Sequence, residues 1–187
     1  MLAILRQLVY NKGNMKKEGA ERDMNQKLAR VALEEARQNY HGDTDAAIGN
    51  LQPLAELFES AEDVTLENLN ADWSGAFAFL CAAKAGIRLP IRYPDPRVRA
   101  SFAKVEAWEE YARLPKIGAW HSFAEHPEIG DLVVFEPAES RPAQMGIVLS
   151  VTEDAMDVAV GNHRNHSAVV ERPLHENVRG FIRFDAE

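Results

Sequence analysis

The chain has 187 residues, 46% of them hydrophobic and 27% charged, with a formal net charge of -8. That balance fits one globular domain with an appendage and excludes a disordered or collagen-like chain. It also argues against nucleic-acid partners and an anionic membrane surface, since both need clustered Lys and Arg. A single cysteine, Cys81, leaves no internal disulfide and no zinc site built on several thiolates.

Residues 1–23 read as a flexible appendage, and residues 24–187 as one domain that includes N-terminal helices. The apolar start Met1 to Leu5 stops at Arg6, too short for a signal-peptide core or a membrane span. The expected location is the cytoplasm, unless export uses a route without an N-terminal signal.

From Met24 onward, Leu28, Val31, Ala32 and Ala36 recur at helical spacing, with Lys27, Arg30, Glu34 and Arg37 on the other side. The spacing predicts an amphipathic helix ending near His41-Gly42. Residues 43–60 carry a weaker helical pattern, broken by Gly49 and Pro53, with Leu54, Leu57 and Phe58 as its apolar face.

Asn70 or Asp72 is a candidate cap for the next helix, Trp73 to Ala85, which is small or apolar at nearly every position before Gly86 stops it. A helix apolar all round is buried. Leu89-Pro90 and Tyr93-Pro94-Asp95-Pro96 force extended or turning backbone. A further helix is expected from about Val98 to Leu114, packing through Phe102, Val105 and Trp108 or Ala112, with Glu106, Glu109 and Glu110 on a solvated face.

After Pro127 the pattern changes to short β-branched runs separated by turn residues: Asp131 to Phe135, Met145 to Val151, Met156 to Val160, Ala168 to Glu171 and Gly180 to Phe184. Helices followed by about five strands at meander spacing predict an α+β domain, with the buried helix packed on an antiparallel sheet.

The ordered pieces Trp73-Ser74-Gly75-Ala76-Phe77, Gly130-Asp131-Leu132-Val133-Val134-Phe135, Gly146-Ile147-Val148, Gly161-Asn162 and Gly180-Phe181-Ile182-Arg183 form one pattern. Together they resemble the CHAP family of cysteine, histidine-dependent amidohydrolases and peptidases, over roughly Trp73 to Phe184. The resemblance implies a papain-like fold. It also implies a nucleophile at the start of the central helix, where free backbone N–H groups and the helix dipole stabilise a thiolate and an oxyanion. The chemistry it implies is amide cleavage in bacterial peptidoglycan or a related peptide.

Each catalytic position departs from that pattern. The family's nucleophilic cysteine corresponds to Ser74, its histidine base to Gln144, and its Glu-x-Asn to Val160-Gly161-Asn162, which leaves Asn162 as the matching polar residue. A serine needs a base to remove its proton, and a glutamine cannot accept one at neutral pH. Losing nucleophile or base alone costs on the order of 10⁶-fold in turnover in a serine protease.

These three departures together point to a catalytically inactive domain, retained to bind a peptide or cell-wall fragment, and no cofactor or metal is expected. Trp73, Trp120 and His163 are its candidate binding residues. The alternative is an active amide hydrolase in which Ser74 works with a recruited histidine such as His163 or His121. Cys81, two turns into the buried helix, reads as an inert core thiol. His163 and His166 could serve as replacement bases or as a metal pair at i, i+3, but with no carboxylate or thiolate close by in sequence they read as members of a polar hairpin loop. His121 and His126 read as part of a loop near Trp120, and a zinc site from His121, His126 and His163 would require the fold to bring them together.

Overall fold

The computed structural model describes residues 24–58, 61, 64–89, 98–137, 143–174 and 176–184. The proposed appendage and the prolines between Pro90 and Pro96 lie outside them. The domain is α+β, with five α-helices among the described residues and one six-stranded antiparallel sheet, not five strands.

Helix α1 occupies residues 24–36 and buries Leu28, Ala29, Ala32 and Ala36. It stops short of His41-Gly42 because the chain turns at residues 37–38 and Asn39 takes a left-handed conformation (φ 55°). Residues 43–58 of the region read as one broken helix are a loop followed by α2 (Gln52–Ala55) and a 3₁₀ turn (Glu56–Phe58), and residues 59 and 60 lie outside the described residues. Pro53 lies in the first turn of α2 and does not interrupt it, since the first helical turn needs no backbone donor. Leu54 and Phe58 are fully buried. Helix α3 (Leu66–Ala71) follows, with the Thr65 hydroxyl accepting from Asn68 N at 3.2 Å.

Helix α4 (Ser74–Ala85) is the buried central helix and ends at Gly86, φ 91°. Helix α5 is shorter than the apolar spacing suggests. It runs Val105–Ala112, because residues 101–104 turn back to cover the start of α4. Trp108 Nε1 donates to Phe102 O (2.8 Å) and Gly75 O (3.3 Å), tying α5, that turn and α4 together. Of the α5 carboxylates Glu106 is exposed, whereas Glu109 pairs with Arg113 and Arg179, and Glu110 with Arg99.

The strands are β1 (Trp120–Ser122), β2 (Leu132–Phe135), β3 (Gln144–Val151), β4 (Ala155–His163), β5 (His166–Pro173) and β6 (Val178–Ile182). Their order across the sheet is β1-β6-β2-β3-β4-β5. The strand missed from sequence is β1, a three-residue edge strand pairing Trp120 with Ile182 and His121 with Phe181. It is too short to show alternation, and its partner β6 lies far along the chain.

Alternation along the other strands splits the apolar residues between the two faces. Leu132, Val134, Met145, Ile147, Ala159 and Ile182 join α1, α2, α4 and α5 in the main core. Val133, Phe135, Val148, Val158, Val160 and Phe181 form a smaller cluster on the opposite face. Helix α4 lies across β3 and β4. A Cβ on Gly161 would come 2.5 Å from Phe77 Cβ, so the close approach of helix to strand requires glycine there.

Candidate functional site at the start of the central helix

Ser74 is the first residue of α4, as the nucleophile correspondence requires, but it is completely buried (0% exposed). Trp73 occupies the cap position without a side-chain cap, and Asn70 bonds Asp43 instead. The carboxylate of Asp72 takes the capping role from one residue further out: its Oδ1 accepts from Ser74 Oγ at 3.3 Å and from Ser74 N at 3.5 Å. Asp72 is itself 8% exposed. Burial raises its pKa above the ordinary carboxylate value, against the opposing pull of Lys104 and the two bonds from Ser74.

The base position does not converge on this hydroxyl. Met145 and Ile147 point toward α4, so alternation puts Gln144, with Gly146 and Val148, on the other face. A Cβ on Gly146 would meet Val158 and Val160, both in the far-side cluster. The Gln144 side chain bonds along the sheet, Nε2 to Asn162 O at 3.4 Å. Val160 likewise packs away from α4. The side chain facing α4 at this point of β3 is Met145.

Asn162 sits at a bulge before the β4–β5 turn with φ 60°, and its Nδ2 donates to Ala71 O at 3.4 Å. It therefore joins β4 to the end of α3, close in the chain to Asp72, but makes no hydrogen bond to Ser74. Trp73, expected beside an open cleft, is 0% exposed and packs edge-on against Phe77. Large apolar neighbours on α4 and Gly161 on β4 enclose it, which corrects its assignment as a ligand contact. Trp120 is partly exposed on β1, with the Arg113 guanidinium 3.9 Å above its ring.

The histidines considered as substitute bases lie on β1 and at the end of β4. His121 is on β1, where Nδ1 is 2.8 Å from Glu125 Oε2, and hydrogen bonds from His121 and Ser122 lower the pKa of Glu125. His163 ends β4 directly opposite His166 across the hairpin. Among the described residues no group of three or more His, Cys, Asp or Glu side chains is placed to hold a metal ion.

Cys81 is buried, and burial, with Glu35 nearby, pushes its thiol well above the ordinary range. The residue the sequence undervalued is Asp72, which appeared only as a cap. Its position two residues before Ser74 was the available signal.

No family model, no curated protein and no solved structure matches this chain. No helix among the described residues is long and apolar enough to cross a membrane.

Proposed function

We propose that this protein is a catalytically silent relative of the CHAP-type, papain-like amidohydrolases that serves as a binding or interaction module for a peptide or cell-wall fragment. The observation that carries the reading is the burial of Ser74, with its hydroxyl bonded to a desolvated carboxylate and the base position, Gln144, on the far face of the sheet. A hydroxyl without access to substrate and without a histidine partner does not attack an amide. The turn at residues 101–104 packs on the start of the helix, where a Cβ on Gly75 would come 2.6 Å from Ala103 O. Ligand contact then falls to Trp120 and His163, the partly exposed members of the expected binding set.

The test combines a serine-directed fluorophosphonate probe, a peptidoglycan amide-hydrolysis assay and a pull-down on insoluble peptidoglycan. The expected result is no labelling and no hydrolysis, with retention on peptidoglycan that Trp120→Ala weakens. Labelling at Ser74 would restore the hydrolase reading, and failure to bind peptidoglycan or its soluble peptides would remove the binding-module one.

A further inference from the structure

His41 and His166 stand side by side where the loop after α1 meets the β4–β5 hairpin. The two residues form an antiparallel bridge, so their side chains leave the backbone on the same face. Their ring centroids are 5.7 Å apart with the planes inclined at 42°. Each ring is anchored through Nδ1: that of His41 lies 3.2 Å from Gly42 O, and that of His166 lies 3.3 Å from Asn39 Oδ1. An amide oxygen can only accept, so these partners assign the proton to Nδ1 and leave the Nε2 lone pair available on each neutral ring.

One ring nitrogen donating to an amide oxygen while the other stays bare is how metal-binding imidazoles are held. The backbone that carries the pair is fixed as well. His41 N donates to Asn50 Oδ1 (2.7 Å) and Asn50 N to His41 O (2.9 Å). From the hairpin, Asn165 Oδ1 accepts from Gly42 N (3.0 Å), and Ser167 N donates to Tyr40 O (2.8 Å).

We propose that His41 and His166 form a two-imidazole site for a late first-row divalent transition-metal ion, with water completing the coordination. A cation about 2.0–2.1 Å from one nitrogen of each ring sets the ring centroids roughly 5 Å apart, near the 5.7 Å at which the two rings stand. Imidazole donors select Cu²⁺, Ni²⁺ and Zn²⁺ over Mg²⁺ and Ca²⁺, which require oxygen ligands. The bound ion would clamp the loop after α1 to the hairpin. This site is separate from the start of α4 and does not depend on the proposed function.

The test is titration of the tag-free full chain with NiCl₂ and ZnCl₂ by calorimetry, alongside His41→Ala, His166→Ala and, as a control, His121→Ala. Binding of one ion is expected. Either pair substitution should weaken it by more than the roughly 10- to 100-fold that loss of an outer-shell partner costs, and the control should leave it unchanged. No binding up to millimolar metal, or binding indifferent to both substitutions, overturns the proposal. A readout on the unsubstituted chain guards against misfolded variants: substoichiometric Cu²⁺ should broaden the amide resonances of Gly42, Asn165 and Ser167 first. Broadening centred elsewhere counts against the site.

Discussion

Arg183 holds Asp131 through two parallel hydrogen bonds, Nε to Oδ1 at 2.8 Å and Nη2 to Oδ2 at 2.7 Å. The pair joins the residue before β2 to the residue after β6. The Gly-Asp and Gly-Phe-Ile-Arg pieces of the sequence pattern therefore meet as a structural lock, on adjacent strands. Asp131 is 0% exposed and also accepts from Glu128 N at 2.7 Å, while Arg183 reaches Glu128 Oε1 at 2.8 Å. A bidentate pair of this kind is stabilising only while complete, because a lone buried carboxylate has lost its hydration.

Arg183→Met should accordingly destabilise the domain by about 3–5 kcal/mol in urea unfolding. Adding Asp131→Asn should recover part of that loss, because the orphaned charge is removed with its partner. A double variant as unstable as the sum of the two singles would show that the residues act independently.

Asp72 gives the start of α4 a pH signature. Its carboxyl is raised by burial, so the folded state binds the proton more tightly than the unfolded chain. The favourable contribution is present in full below the unfolded value and is lost as pH rises through the folded one. Asp72→Asn should therefore be more stable than the parent at pH 7, with the gap in urea midpoint narrowing as the solution is acidified toward the unfolded value. A gap that widens on acidification would mean that the bonds from Ser74 and the charge of Lys104 outweigh desolvation.

The composition of Ser74 to Ala85 announces a buried helix, and Gly86 its end, because an all-apolar stretch has no polar side to present to water. Five strands were legible from β-branched runs for the same kind of reason. What the chain hid depends on register and on partners far away. Strand β1 exists because β6 offers it an edge, and α5 begins at Val105 because the residues before it cover α4. The candidate site shows the limit most clearly. Position 74 falls at the helix start as its neighbours suggest, but which of Gln144 and Met145 faces it is a one-residue matter of pleat, and a one-residue change of phase exchanges the two faces.

Cys81 tests whether the central helix is packed as tightly as its burial implies. Its thiol is enclosed, and desolvation raises its pKa, so little reactive thiolate forms in the native state. Ellman's reagent at pH 8 should react with the native protein only at the rate of opening, and promptly with one thiol in denaturant. Rapid stoichiometric reaction without denaturant would place Cys81 at an accessible surface and contradict this packing.

Glu35 joins α1 to α4 through a relay that runs from the buried Tyr40 to the exposed Lys84: Tyr40 donates its hydroxyl proton to Oε2 at 2.9 Å, and Lys84 Nζ lies 2.7 Å from Oε1. The Tyr40 pKa is raised above its usual value of 10.0, first by burial and then by the hydrogen bond and negative charge of Glu35. The folded state thus keeps the phenol protonated where the unfolded chain would ionise. The resulting stability is intact below about pH 10 and is lost as pH rises above it. Thermal melts between pH 9 and 11.5 should show a falling melting temperature that Tyr40→Phe makes less steep. At pH 7 the same substitution should cost about 1–2 kcal/mol, from the lost hydrogen bond and the poorer satisfaction of Glu35. Glu35→Gln should lower the spectrophotometric tyrosinate midpoint of Tyr40 relative to the parent, because it removes the negative charge that opposes ionisation. Identical alkaline limbs in parent and Tyr40→Phe would assign the loss of stability to other groups and dissolve the relay as a determinant of how α1 is held.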